Sequence, residues 1–253
     1  MHRFFLPPEK CRDAVLRLSE NDAHHAADVL RVRPGERVVV LDGAGDELMC
    51  TVEAVAKHEV TVRVTQRSRI APLPYQITLV QALTKAKTLD TIIQKAVELG
   101  ASRVVLLRSD RSVSQIEEEV AAAKLERWQA TVVEAAKQCG AAWLTRVEGP
   151  LAPQAWLAKS ERYDLLLLAS LQPDAKHPRI HMEQFIAERG RLPASVAVCV
   201  GPEGDYTPAE LNAFRGAGAL PITLGQLVLR SETASAYCLS VLNYELQAPR
   251  KRD

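Results

Sequence analysis

The sequence predicts an α/β domain built on a mostly parallel sheet, preceded by a small all-β unit. Three observations carry this reading. β-Branched residues alternate over short runs between Arg37 and Val64, apolar runs alternate with helical periods from Ile77 onward, and a proline-bearing segment separates the two rhythms. With 253 residues, 47% of them hydrophobic, the chain can bury a sizeable core in one large or two unequal domains.

In the first part, RVVVLDG, ELMCTVEAV and EVTVRVTQR read as strands, with a turn at Gly43-Ala44-Gly45 between the first two. The boundary is placed in Ala71-Pro72-Leu73-Pro74, because alternate prolines favour extended chain and remove backbone donors. This gives units of 1–72 and 73–253. Ile77 to Ala82 is then a strand, followed by a helix with Leu89, Ile92, Ile93, Ala96 and Val97 on one face and Gly100 at its C′ position. Val104 to Leu107 is a strand, and a long helix from about Glu117 to Cys139 carries Ala121, Leu125, Trp128, Val132, Ala135 and Cys139 on a stripe. Leu165 to Ala169, Val196 to Val200 and Leu220 to Leu224 are three buried strands. Thr207, Pro208 and Glu210 form a capping box with proline at N1. The last helix starts near Thr233 and buries Ala234, Tyr237, Cys238, Val241 and Leu242.

Charge and cysteine usage exclude several classes. The 32 Lys plus Arg balance 31 Asp plus Glu, so the whole molecule is no polyanion binder and any nucleic-acid site is a local patch. Cys11, Cys50, Cys139, Cys199 and Cys238 lie far apart with no CxxC, and His24 and His25 have no third ligand near in sequence; the expectation is reduced, mostly core thiols and no metal. No apolar h-region follows MHRFFLPPEK, and no apolar run approaches the ~18 residues of a membrane span. The expectation is a cytoplasmic protein without membrane contact.

Ligands of open α/β sheets bind outside the carboxyl ends of the strands. Three loops occupy such places: Ser170 after the first of the three late strands, Gly201-Pro202-Glu203-Gly204-Asp205 after the second, and Gly225 to Arg230 after the third. If those strands are neighbours, the loops line one pocket. There is no GxGxxG after a strand, no GxxxxGK and no GxSxG. A tight strand-to-helix turn explains GPEG alone equally well.

The segments TKAKTLDTIIQKAVELG (84–100), GPEGDYTPAEL (201–211) and LGQLVLRSETA (224–234) resemble those of the RsmE family of 16S ribosomal RNA uracil-N3 methyltransferases, within the SPOUT superfamily. HHAADVLR (24–31) and the VLDG of the first hairpin resemble that family's PUA-like RNA-binding barrel. The resemblance implies a SPOUT α/β domain with a C-terminal trefoil knot that holds S-adenosylmethionine, and a homodimer acting on 16S rRNA or the small ribosomal subunit. The family usually continues GPEGG, where this chain has Asp205, and commonly has an arginine where Ala141 stands.

The cofactor contacts so implied are Gly201, Pro202, Glu203 and Gly204 from one loop, Leu224, Gly225 and Leu229 from another, and Ala169 and Ser170 closing the pocket. Arg230 is the expected catalytic cation, set to stabilise the uracil anion, against a structural reading in which it pairs with Glu232. Glu232 is either proton acceptor or a first-turn helix acid. Glu203 is expected to hydrogen-bond within the knot, and Asp205 is either a partner for the cofactor's sulfonium or solvent-facing loop. Arg3, His25, Arg31 and Arg33 in the small unit, and Lys85, Lys87 and Arg111 in the large one, are candidates for RNA phosphates, each also readable as a solvated charge. Two alternatives stay open: ribose 2′-O-methylation, disfavoured by the Arg-Ser-Glu-Thr opening of the last helix, and a non-catalytic RNA-binding protein.

Overall fold

The computed structural model describes residues 1–56, 59–113, 116 and 118–247; the expected helix start at Glu117 lies outside them. The chain divides into two compact units, residues 1–72 with 133–144, and residues 73–132 with 145–253.

The first unit is a five-stranded sheet. Its strands are β1 (Arg3–Phe5), β2 (Val15–Arg17), β3 (Arg37–Leu41), β4 (Asp46–Ala56) and β5 (Glu59–Arg69), in the order β1-β3-β4-β5-β2. β1 runs parallel to β3 and the other pairs are antiparallel. A short helix α1 (Glu20–His24) follows β2, its first turn capped by Ser19 Oγ accepting from Asp22 N at 3.2 Å. The β3–β4 turn is held by Asp42, whose Oδ1 accepts from the amides of Ala44 and Asp46, both at 2.8 Å. Phe4, Leu16, Val38, Val40, Leu48, Val60 and Val62 fill the core.

By contact, residues 133–144 pack with this unit in addition to the stretch up to Pro72. Lys137 Nζ, half-buried, reaches the buried Asp22 Oδ1 at 2.8 Å, Trp143 Nε1 donates to Ile70 O at 3.0 Å, and the Arg69 guanidinium lies 4.8 Å over the Trp143 ring. A boundary argued from proline and strand rhythm cannot register a distant segment that pairs its polar groups with the first one.

The second unit contains β6 (Gln76–Ala82), α2 (Ala86–Glu98), β7 (Arg103–Leu107), α3 (Glu118–Cys139, its end counted with the first unit), β8 (Arg146–Leu151), α4 (Pro153–Leu157), β9 (Leu165–Ala169), α5 (Pro178–Arg189), β10 (Ser195–Val200), α6 (Pro208–Gly216), β11 (Leu220–Ile222) and α7 (Ser231–Gln247). Its six-stranded sheet is parallel throughout, in the order β11-β9-β10-β6-β7-β8. One face, with Val80, Ala82, Val105, Leu107, Leu168 and Cys199, packs with Trp156 of α4 and Leu211 and Phe214 of α6. α7 packs against α2, β6 and β10. Sequence periodicity omits β8, an edge strand whose Arg146, Glu148, Gly149 and Pro150 break the apolar run. β11 also stops at Ile222, which leaves Leu224 in the following loop.

Two helices, α6 and α7, set the geometry of the loops that precede them. α6 opens with the expected capping box: Thr207 Oγ1 accepts from Glu210 N at 3.3 Å, and Glu210 Oε2 accepts from Thr207 N at 2.8 Å. Glu210 does more than cap, since it also accepts from Ser109 Oγ at 3.2 Å and Asp110 N at 3.0 Å, tying the loop after β7 to α6. α7 begins two residues earlier than expected and is turned about its axis. Its buried stripe is Ser231, Ala234, Ser235, Cys238, Leu239, Leu242 and Leu246, whereas Tyr237 is exposed and Val241 half-buried. Cys139, expected on the α3 stripe, is exposed, while the other four cysteines are buried.

Burial pushes the Glu210 carboxyl upward, and the donors from Thr207, Asp110 and Ser109 outweigh it, so its pKa falls below the ordinary 4.5. A depressed folded-state pKa stabilises above 4.5 and loses that contribution as pH falls through the folded value. Glu210→Gln should therefore unfold about 2 kcal/mol more easily at neutral pH. The gap to the unaltered chain should narrow on acidification, as urea denaturation at a series of pH values below 4.5 would register.

Candidate functional site

β11, β9 and β10 are adjacent, so the loops leaving their carboxyl ends meet. They enclose a cleft of about 520 Å³, within the range of small-molecule sites. Gly201 forms one wall, where a Cβ would stand 3.3 Å from both Asp205 Oδ1 and the Tyr206 ring. Gly225 forms another at φ 116°, a conformation that favours glycine. Thr223 Oγ1 holds the Gly225 amide at 3.3 Å. Among the described residues the amides of Gln226 to Leu229 donate to no protein acceptor, and the Leu227 and Val228 side chains are exposed. Free amides beside apolar side chains suit a ligand that is part heterocycle and part polar chain.

Of the residues expected to bind a cofactor, Ala169, Ser170, Gly201, Pro202, Glu203, Leu224, Gly225 and Leu229 line this cleft, together with Arg230. Gly204 and Glu232 are not on its lining. Glu203 is exposed and, among the described residues, makes no hydrogen bond through its side chain. Arg230 is exposed, and no ion pair joins it to Glu232 among the described residues. Glu232 sits half-buried in the first turn of α7, where a carboxylate complements the helix dipole.

Arg111 is a tether: its Nη1 donates to Gly204 O at 2.9 Å. Lys85 and Lys87 are exposed at the start of α2. In the first unit His25, Arg31 and Arg33 are exposed, and Arg3 donates to Gln138 O at 3.2 Å. Among the described residues no group of three or more His, Cys, Asp or Glu side chains could hold a metal ion, and no helix is long and apolar enough to cross a membrane.

The sequence reading missed the contacts that fix the cleft's third loop. Gln81 is fully buried in β6 and aligned with Val200 of β10. Its Nε2 donates to Ala82 O at 2.9 Å and to Ser231 Oγ at 3.0 Å. A carbonyl can only accept, so the amide nitrogen must face Ala82 and the oxygen must face Ser235, whose hydroxyl lies 2.5 Å away. Ser231 Oγ in turn donates a hydrogen bond to Gly201 O at 3.2 Å. One amide thus joins β6, the first turn of α7 and the Gly201 loop. A lone glutamine in the apolar run Ile77 to Ala82 was the available signal, since a buried polar group needs partners.

A family model described as the RNA methyltransferase domain matches residues 71–243, and one described as the RNA methyltransferase PUA domain matches residues 15–65. A ribosomal RNA small subunit methyltransferase E of Mycobacterium bovis is 32% identical over 232 residues, covering 90% of this chain and 86% of its own length. The chain belongs to the ribosomal RNA small subunit methyltransferase E family. The Bacillus subtilis member is 28% identical, with 99% of each chain covered. Among solved structures, a methyltransferase from Legionella pneumophila in complex with S-adenosylmethionine superposes with a TM-score of 0.87 at 29% identity, covering 97% of this chain and 98% of that one. A family member from Neisseria gonorrhoeae, bound to the same molecule, gives 0.83 at 27% identity and the same coverage. The fold is thus that of an α/β methyltransferase with a PUA domain.

Because Gln81 is fully buried, its loss should be felt as unpaired polar groups as well as lost packing. Gln81→Leu should destabilise by about 1–3 kcal/mol. Ser231→Ala should cost less in that background than alone, a coupling of about 1 kcal/mol in a double-mutant cycle read by urea denaturation.

Proposed function

We propose that this chain methylates N3 of a uridine in 16S rRNA of the small ribosomal subunit, using S-adenosylmethionine held in the cleft after β9, β10 and β11. The observation that carries the reading is the convergence of the three loops on one cleft edged by an arginine whose side chain has no protein partner among the described residues. The free amides of Gln226 to Leu229, the Gly201 wall and the Leu227 and Val228 side chains would hold the cofactor. Bound there, it supplies an electrophilic methyl group on a sulfonium. The structural neighbours that carry the same molecule support this assignment.

The chain's own task is to position the uracil and stabilise it as N3 loses its proton. Arg230, exposed at the cleft with a side chain that has no protein partner among the described residues, can donate to a uracil carbonyl as negative charge grows there. Glu232, in the first turn of α7 and one residue beyond Arg230 and Ser231 of the cleft, is the carboxylate nearest in sequence that could accept the N3 proton, directly or through water. Lys85, Lys87 and Arg111, with Arg3, His25, Arg31 and Arg33, are the phosphate contacts of this reading; Arg111 also holds Gly204 O through Nη1, which leaves its other donors for RNA.

The reading extends to three further features. The chain passes from β11 across the carboxyl ends of β9 and β10 to α7, which packs on β6 and β10, a route that supports a trefoil-knotted end. The exposed Tyr237 and Tyr244 of α7 offer a face for a second copy in a homodimer. The protein would work in the cytoplasm, where ribosomal RNA is its substrate.

Incubation with small subunits and labelled cofactor, followed by nucleoside mass analysis, should yield 3-methyluridine; a ribose 2′-O-methyl product would overturn the assignment. Arg230→Ala should leave cofactor affinity within about two-fold by calorimetry while lowering turnover by ~10²-fold, because the charge it stabilises exists only as the reaction proceeds. Arg230→Lys should recover part of the rate, having the charge without the planar fork.

A further inference from the structure

Asp205 is one of three non-glycine residues with positive φ among those described, at 59°, and of the three it alone lines the cleft. An L-residue there is disfavoured against glycine, although aspartate tolerates it better than most. The conformation is held by Asp205 N donating to Pro202 O at 3.0 Å and by Asp205 Oδ1 accepting from Tyr206 N at 2.7 Å. The same oxygen covers Gly201, standing 3.3 Å from where a Cβ on that residue would be. The second oxygen accepts from no protein donor among the described residues, and no arginine or lysine pairs with it. Arg111, the cation tethered to the neighbouring Gly204 O, is engaged with that carbonyl, and Arg230 makes no ion pair.

A half-buried carboxylate with one uncommitted oxygen in a ligand cleft is suited to a cationic partner. Resting on the proposed cofactor, we infer that Asp205 is the counter-charge of its sulfonium and so discriminates S-adenosylmethionine from S-adenosylhomocysteine. On transfer the S–CH3 bond breaks, the N3–CH3 bond forms, and sulfur keeps the electron pair and loses its positive charge. The carboxylate then faces a neutral thioether. Asp205 would therefore hold the methyl donor more tightly than the spent cofactor and favour release of the latter.

Asp205→Asn isolates the charge. Asparagine adopts the same backbone conformation readily and keeps an acceptor for Tyr206 N, so loop geometry should survive. Calorimetry on the full chain should show affinity for S-adenosylmethionine falling about three- to ten-fold, with affinity for S-adenosylhomocysteine unchanged within about two-fold. Added salt should erode the preference of the unaltered chain but leave that of the variant alone. Asp205→Gly, which also relieves the backbone, should show the same altered ratio. Equal weakening of both ligands would place the carboxylate on the amino group they share or in a loop-shaping role, and would overturn the inference while leaving the cofactor assignment standing. If the unaltered chain bound neither ligand, the cofactor assignment would fall and the inference with it.

Discussion

The buried amide of Gln81 is the constraint on which the cleft depends. A primary amide without solvent access is tolerated in an apolar sheet only when its donors and acceptor are met, because an orphaned group there costs about 1–3 kcal/mol. Ala82 O, Ser231 Oγ and Ser235 Oγ meet them. Turning α7 by one residue would withdraw both hydroxyls together. The helix is therefore fixed in rotation as well as depth, and Ser231, its first residue, becomes a fixed end for the loop that begins after Ile222.

That fixed end lets the cleft combine rigid boundaries with open chemistry. The loop after β11 is anchored by Thr223 N on Lys176 O at 2.9 Å and by Ser231, leaving the amides between them free for a ligand. The Gly201 loop is held from three directions: Ser231 on the Gly201 carbonyl, Arg111 on the Gly204 carbonyl, and the Glu210 carboxylate through the start of α6. Each tether reaches a backbone group or a helix cap, and none uses the side chains of Glu203 or Arg230. The side chains of Glu203 and Arg230 are therefore not needed to hold these loops in place.

Much of this was legible in the sequence, and the misses share a cause. The apolar runs at Leu165 to Ala169 and Val196 to Val200 fall on β9 and β10, and glycine marks the cleft walls, because parallel strands and close backbone approach leave strong compositional traces. β8 was invisible because an edge strand can carry charge. The packing of residues 133–144 with the first unit leaves no local trace, because the Lys137–Asp22 pair and the Trp143 contacts span long sequence separations. The bond of Arg111 to Gly204 O is invisible in the sequence because that carbonyl lies far along the chain. In each case the deciding partner was remote in sequence, where periodicity has no reach.

The rotation of α7 carries the same lesson into assembly. Hydropathy reads Ser231 and Ser235 as polar and turns the helix to bury Tyr237 and Val241, yet Gln81 satisfies the serines and draws them inward. The consequence is that Tyr237 and Tyr244 are turned outward, 40% and 76% exposed, with half-buried Val241 between them at helical spacing. An aromatic stripe in water is a poor end state for a helix whose opposite side is so closely specified. A two-fold contact through this stripe would bury it without altering the serine face, and would brace the helix whose first turn closes the cleft. In the proposed dimer the two sides of α7 are therefore linked. The buried amide that sets the cleft loop would then also decide which residues a second copy met.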